Sequence, residues 1–216
     1  MTSYEKNDII FRTLQPEDVE DTVACLCDCF PQREPMTKLL GITYEEYRTL
    51  AEPYCQKAAQ EKLSLLAKDK ETNQICGFII SEDWMSGLPE QVANTTDKLE
   101  VIYNLLLQMD EKYQADRQIN KGEILHISML GVMEEYERKN IASKLVIENL
   151  KLAKSKNYKT AVTEATSLVS QHIFKKLGFQ EELEIEYKSY TFEGKKFFES
   201  LEEHKGCILL TKNLDN

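Results

Sequence analysis

The stretch from Ile124 to Ser155 constrains this chain more than any other. Ile124 to Val132 is apolar on both alternating faces, as a strand in the middle of a sheet must be. A polar turn, Glu134-Glu135-Tyr136-Glu137-Arg138-Lys139-Asn140, comes next, and Ile141, Ala142, Leu145, Val146 and Leu150 then recur at helical spacing toward Ser155. Strand, tight turn and helix in that order place the first amides of the helix beside the strand's end. Those amides lack intrahelical partners, and together with the helix dipole they form an anion site. Arg138, Lys139 and the Ser143 hydroxyl add charge and a donor, which favours a phosphate over a carboxylate. A basic pair at such a turn is equally what solvated surface carries, so the rest of the chain has to decide.

The remaining pattern is α/β. Ile9 to Leu14 reads as a strand, and a helix follows over Asp18 to Phe30, with Val19, Val23, Leu26 and Phe30 at helical intervals. Phe30-Pro31-Gln32-Arg33-Glu34-Pro35 breaks that helix into a loop, and a second helix starts near Thr43. Leu63 to Lys68 and Ile75 to Ser81 form a hairpin, Asp97 to Tyr113 an amphipathic helix, Lys159 to Thr166 a strand, and Leu168 to Leu177 a short helix stopped by Gly178. Phe179 onward is a long hairpin ending in Cys207 to Lys212. With 216 residues, 42% of them hydrophobic, and no segment that reads as a linker, one domain over 1–216 is expected.

Charge and cysteine spacing exclude several classes. A formal charge of -10 argues against binding nucleic acid, which needs a dense basic face, and suits a cationic partner. The longest apolar runs are too short to span a bilayer, and Met1 to Lys6 has no apolar signal core, so a cytoplasmic protein without membrane contact is expected. Cys25 and Cys29 share a helix face while Cys27 points elsewhere, and Cys55, Cys76 and Cys207 form no C-x-x-C pair. Reduced, packed thiols are the expectation, with no metal; His126, His172 and His204 are scattered as well.

Two segments carry a family resemblance. Leu130-Gly131-Val132 with Tyr136 to Leu145 resembles the acetyl-CoA motif of the GNAT superfamily, a hydrophobic strand exit followed by a Q/R-x-x-G-x-G/A loop around the pyrophosphate. Glu137 takes the Q/R position, Asn140 the first glycine and Ala142 the second small residue. Asparagine adopts the backbone shape usually given to glycine more readily than most residues. Ser170 to Phe179 resembles the family's second signature, ending Y-E-K-x-G-F, with Phe174 where many members carry the tyrosine that protonates the leaving thiolate. Within the superfamily the chain is most similar to arylalkylamine (dopamine-type) N-acetyltransferases: Phe30 to Leu40 is similar to their F-x-x-x-E-P-L segment, and Thr166 to Ser170 to their S-S-x-x-S turn. The spacing of Tyr190, Gly194, Phe197 and His204 to Ile208 follows their closing strands.

The resemblance implies a GNAT fold, a central mixed, mostly antiparallel sheet flanked by helices. It further implies acetyl-CoA as cosubstrate, held by Leu130, Gly131, Val132, Glu137, Arg138, Lys139, Asn140, Ile141, Ala142 and Ser143. The acceptor is then a small amine, arylalkylamine- or polyamine-like, attacking directly without a covalent acyl-enzyme. The attacking amine must first lose a proton, and the subgroup gives that base role to Glu34. Ser170 and Thr166 match subgroup serines that assist proton transfer or hold the amine. The plain alternatives are a helix-capping Glu34 and helix-start hydroxyls at Ser170 and Thr166. His126, a rival base, reads as a buried, hydrogen-bonded structural histidine; Tyr44, Tyr47 and Tyr54 are candidates to line an aromatic amine pocket, but at helical spacing they read rather as core or interface. Glu137, Asn140 and Phe174 depart from the family pattern, which keeps open a silent acyl-CoA-binding module; a protein or peptide N-acetyltransferase is the third alternative.

Overall fold

The computed structural model describes residues 9–87, 89 and 96–215. The run Met1 to Lys6, read above as lacking a signal core, lies outside the described residues. The strands are β1 (Ile9–Thr13), β2 (Leu65–Asp69), β3 (Ile75–Asp83), β4 (Ile124–Val132), β5 (Thr160–Ala165), β6 (Gln180–Glu186) and β7 (Gly206–Asn213). The helices are α1 (Val19–Arg33), α2 (Pro35–Leu39), α3 (Tyr44–Glu61), α4 (Asp97–Gln114), α5 (Ile141–Ser155) and α6 (Leu168–Lys176). All seven strands share one sheet in the order β1-β2-β3-β4-β5-β7-β6. Only β4 and β5 pair in parallel; the other neighbours are antiparallel. This is the mixed, mostly antiparallel sheet that the family resemblance implied.

The two sheet faces bury separate cores. On one, Phe78, Ile80, Met129, Val162 and Leu209 pack under Leu26 of α1, Leu50 and Tyr54 of α3, and Leu105 and Met109 of α4. On the other, Leu125, Ile127, Ala161 and Leu210 pack under Ile141, Leu145 and Val146 of α5 and Phe174 of α6. Each fully buried aliphatic side chain contributes about 1.5–3 kcal/mol. β4 supplies both cores, which is why its sequence is apolar on both faces.

The strand that feeds the site is irregular in two respects. Its ladder with β3 slips at Ile80/Ser81, so that Ile80 pairs with Met129 and Ser81 with Ile127, leaving Ser128 as an extra residue. Such bulges bend a strand and raise its twist. Its parallel ladder with β5 covers only Ile124 to His126, paired with Thr160 to Val162. Beyond that point β4 stays on β3 as far as Val132, while β5 stays on β7 as far as Ala165. The two central strands therefore diverge, and the edge of β4 that faces β5 has no strand partner from residue 127 onward.

One expectation fails locally. Pro31 does not break the first helix; α1 continues through it to Arg33 and buries it. A proline removes one N–H from the ladder. The ladder closes around that gap, because the Glu34 N–H still reaches the Phe30 carbonyl at 2.9 Å. Glu34, expected in a loop, is instead the single extended residue (φ -75°, ψ 126°) between α1 and α2, with Pro35 opening α2 where its missing N–H costs nothing.

Candidate active site

The divergence of β4 and β5 opens a cleft of about 1760 Å³. Its walls come from the end of α1, from α4, from the starts of α5 and α6, and from both diverging strands. At its mouth the chain leaves β4, makes a 3₁₀ turn over Glu134–Tyr136 and enters α5. Arg138 and Asn140 both take left-handed backbone, with φ of 60° at each. Asn140 thus does what a glycine would do at the helix start, at the modest cost asparagine carries there. Its carbonyl accepts the first helical bond, from the Lys144 N–H at 3.1 Å.

Nine of the ten residues expected to hold the cosubstrate line the cleft: Leu130, Gly131, Val132, Glu137, Arg138, Asn140, Ile141, Ala142 and Ser143. Lys139 does not, because its ammonium sits 4.5 Å from the centroid of the Tyr136 ring. That contact satisfies the cation on an aromatic face and turns it from the cleft. Glu137, which would set a negative charge beside phosphates, is ion-paired with Arg33. Arg33 also donates to the Val132 carbonyl at 2.6 Å, so one guanidinium ties the end of α1 to the strand exit and to the loop. Sequence reasoning missed Arg33; its position beside the quoted Glu34-Pro35 pair was the available signal.

These residues suit a coenzyme A thioester. The fifteen-residue α5 presents its free amides and dipole at the cleft mouth, and the left-handed turn curls the backbone there. The unpaired edge of β4 offers main-chain groups for the acyl and pantetheine portion. Gly131 is required for a separate reason: a Cβ there would fall 2.3 Å from Cζ of Phe78.

The residues expected to do chemistry also line the cleft, but each has a structural duty. Glu34 caps α2, accepting from the Met36 N–H at 3.2 Å, the Thr37 N–H at 2.7 Å and the Thr37 hydroxyl. Ser170 closes the capping box of α6 with Ser167, its hydroxyl donating to the Ser167 carbonyl at 2.9 Å. The Thr166 carbonyl accepts from the Tyr187 hydroxyl at 2.7 Å. Phe174 is buried edge-on to Phe179 and offers no acidic proton. Tyr47 and Tyr54 are buried in the core below the cleft, whereas Tyr44 does not line it.

Deeper in, where the β4–β5 ladder ends, a polar row crosses the sheet. His126 on β4 bonds Glu164 of β5 through Nε2 at 2.7 Å and lies 3.3 Å through Nδ1 from Glu82 of β3. It is the hydrogen-bonded histidine the sequence suggested, though half-buried rather than buried, because it borders the cleft. Burial alone would lower its basicity, but the carboxylates of Glu164 and Glu82 outweigh that and hold the imidazole protonated well above the usual range. Burial pushes Glu82 up, and His126 and Lys57 more than reverse it, leaving its carboxyl below the ordinary range. Lys57 of α3 bonds Glu82 and also pairs with Glu61 at 3.1 Å. Asp110 of α4 faces Glu164; burial, then that neighbour's charge, pushes its carboxyl up to about 8.

Comparison with known proteins now decides the family. Residues 33–179 match the acetyltransferase (GNAT) family. The chain belongs to that family. Its members move an acyl group from a coenzyme A thioester to an amine. Among solved structures, the chain is similar to arylalkylamine N-acetyltransferase 2 from Aedes aegypti, with a TM-score of 0.80 and 22% identity over 97% of this chain and 100% of that one. The C-terminal condensation domain of Ebony in complex with β-alanyl-dopamine superposes with a TM-score of 0.84 and 20% identity over 95% of this chain and 99% of that one. The Drosophila melanogaster polyamine N-acetyltransferase, which catalyses the formation of N-acetylagmatine, gives 0.76 and 16% over 95% and 100%. At these identities the likeness is one of fold.

Proposed function

We propose that the protein acetylates the primary amine of a small molecule, arylalkylamine- or polyamine-like, using acetyl-CoA, with Glu34 taking the amine's proton. The observation that carries this is the joining, in one cleft, of the left-handed turn opening α5, the unpaired edge of β4 and the carboxylate at the α1–α2 junction. When bound, the thioester supplies the activated acyl carbon. Ile141, Ala142 and Ser143, with Arg138, hold the diphosphate at the helix start. Main-chain donors at Leu130 to Val132 stabilise the charge developing on the acyl oxygen. An ammonium cannot attack, so Glu34 receives its proton directly or through water. Ser170 and Thr166, at the start of α6, border the acceptor side and help to hold the amine. All six cysteines are buried and unpaired, which suits action in a reducing compartment such as the cytosol.

Titration with acetyl-CoA, followed by a thiol-release assay over an amine panel, tests this reading. Glu34→Gln keeps an acceptor for the α2 cap while removing the base, and it should lower kcat/KM at pH 7 by about 10²-fold or more. The loss should shrink at alkaline pH, where the amine sheds its own proton. An unchanged pH–rate profile would reject Glu34 as the base. One observation favours a second reading, an acyl-CoA-binding module without turnover: Glu34 is fully occupied as a cap, and Phe174 has no proton to give. Acetyl-CoA uptake with no thiol release from any amine would establish it.

A further inference from the structure

Apolar packing alone does not fix where a helix lies along its own axis, and α5 has to lie in one place for its first amides to be of use. Burial of Ile141, Leu145, Val146 and Ala153 keeps α5 on the sheet, but such contact is non-directional. Asn149 is different. It is fully buried in the middle of the helix, and both ends of its amide are used. Its Nδ2 donates to the Leu63 carbonyl at 2.6 Å, and its Oδ1 accepts from the Ser81 hydroxyl of β3 at 2.9 Å. The Leu63 carbonyl can only accept, which fixes the orientation of the amide. Ser64 closes the ring. Its hydroxyl accepts from the Ser81 N–H at 2.9 Å and donates to the Ser81 carbonyl at 3.0 Å, beyond the β2–β3 ladder, which ends at Leu65 and Ile79. Three fully buried polar side chains thus join α5, β3 and the entry to β2 by directed bonds.

At its start α5 also sits tight on β3, since a Cβ on Gly77 would fall 3.2 Å from Cγ2 of Ile141 and 3.3 Å from Cδ1 of Leu145. From Gly77 to Ser81 the strand advances about 13 Å, and from Ile141 to Asn149 the helix advances about 12 Å. The two spacings match, so α5 runs along β3 and meets it at two points. Only the second is directional. Ser81 also stands on the bulge, pairing with Ile127 where the β3–β4 ladder slips. We infer that Asn149, with Ser81 and Ser64, is a positioning residue for the cosubstrate: it sets the register of α5 on β3, so that the free amides of Ile141, Ala142 and Ser143 stand at a fixed offset from the main-chain groups of Leu130 to Val132. This rests on the reading above that those two sets of groups hold the diphosphate and the acyl end of one thioester. Such a cradle tolerates about 0.5 Å of misplacement. A buried, fully bonded amide admits one register of the helix where a leucine would admit several.

The test replaces both partners at once, Asn149→Leu with Ser81→Ala, an exchange for apolar groups of similar shape. Calorimetry with acetyl-CoA should give a Kd raised about tenfold, the loss of one charge-assisted hydrogen bond to the diphosphate. Measured well below Tm, a merely destabilised protein keeps the wild-type Kd. In the thiol-release assay KM for acetyl-CoA should rise by the same factor while KM for the amine stays, and S-acetylpantetheine, which lacks the diphosphate, should serve the variant as well as the wild type. If the double variant does not fold, Ser81→Ala alone carries the test: it keeps the bond from Asn149 to Leu63, removes only the tie to β3, and should raise Kd about threefold. An unaltered Kd, or an equal loss with both donors, overturns the positioning role and leaves cosubstrate binding standing. Wild-type protein that takes up no acetyl-CoA overturns the underlying reading and the inference with it.

Discussion

Replacing Gly131 by alanine probes how the core and the cosubstrate site are joined. The new Cβ would stand 2.3, 2.7 and 3.1 Å from three carbons of the Phe78 ring. Carbon atoms rest at about 3.5–4.0 Å, so the ring has to retreat by roughly 1.2–1.7 Å. Phe78 is fully buried and its ring lies 6.1 Å from that of Phe30, which itself stacks on Tyr47 at 5.5 Å. Because the ring is held among these neighbours, the substitution should cost about 1–3 kcal/mol as overpacking. At roughly 2–4 °C per kcal/mol for a chain of this size, Tm should fall by about 2–12 °C in a thermal-shift assay. Phe30 lies in the last turn of α1, and its carbonyl holds the Glu34 N–H, so the displacement reaches Arg33 and Glu34. Acetyl-CoA affinity by calorimetry should therefore weaken along with stability. A second substitution, Phe78→Leu, makes room, and the pair should couple favourably by more than about 0.5 kcal/mol. A Tm within a degree of wild type, with additive effects in the double variant, would refute the packing argument.

Two further outcomes are expected. Arg33→Ala should leave Tm nearly unchanged, because its pair with Glu137 is exposed by 41% and 42% and such pairs give at most about 1 kcal/mol. It should nevertheless weaken acetyl-CoA binding several-fold by freeing the Glu137 charge beside the phosphates. Adding Glu137→Gln should restore affinity, and calorimetry at low and high salt checks both points. Asp110→Asn should flatten the pH dependence of stability. The folded state keeps the Asp110 proton up to about 8 while the unfolded chain releases it near 3.8, so native protein binds more protons across that window. Stability therefore falls as pH rises there, by up to about 1.4 kcal/mol per unit. The raised basicity of His126 adds a fall of the same sign beginning near 6.5, which the variant should retain. Urea titrations at pH 5, 6, 7 and 8 measure this, and an unaltered slope in the variant would contradict the assignment.

The order of elements was legible because its signals are local. The two-faced apolarity of β4, the polar turn and the spacing from Ile141 to Leu150 each lie within one continuous segment, and the observed β4 and α5 keep those bounds. Asn140 was legible for the same reason, since left-handed backbone is a property of one residue. Pro31 misled because the missing bond falls near the end of a helix already committed to burying Val23, Leu26 and Cys29. The turning of Lys139 onto Tyr136 and the pairing of Arg33 with Glu137 depend on tertiary placement, which no spacing encodes. The same holds for the row through His126: its carboxyl partners come from β3 and β5, and only the packing of the strands brings them together.

A single irregularity then accounts for both halves of the site. Had β4 and β5 stayed paired to their ends, the edge of β4 from residue 127 onward would spend its main-chain groups on β5, and no cleft would separate α4 from α5. Ending that ladder at His126 and Val162 frees the edge for an acyl group at the mouth. At the apex it leaves Glu164 two residues past the last paired position, bonded to His126 on one oxygen and facing Asp110 of α4. Glu164→Gln should therefore act mainly on stability, through the lost partner of His126, while the affinity for acetyl-CoA, read by calorimetry, stays with the α5 turn.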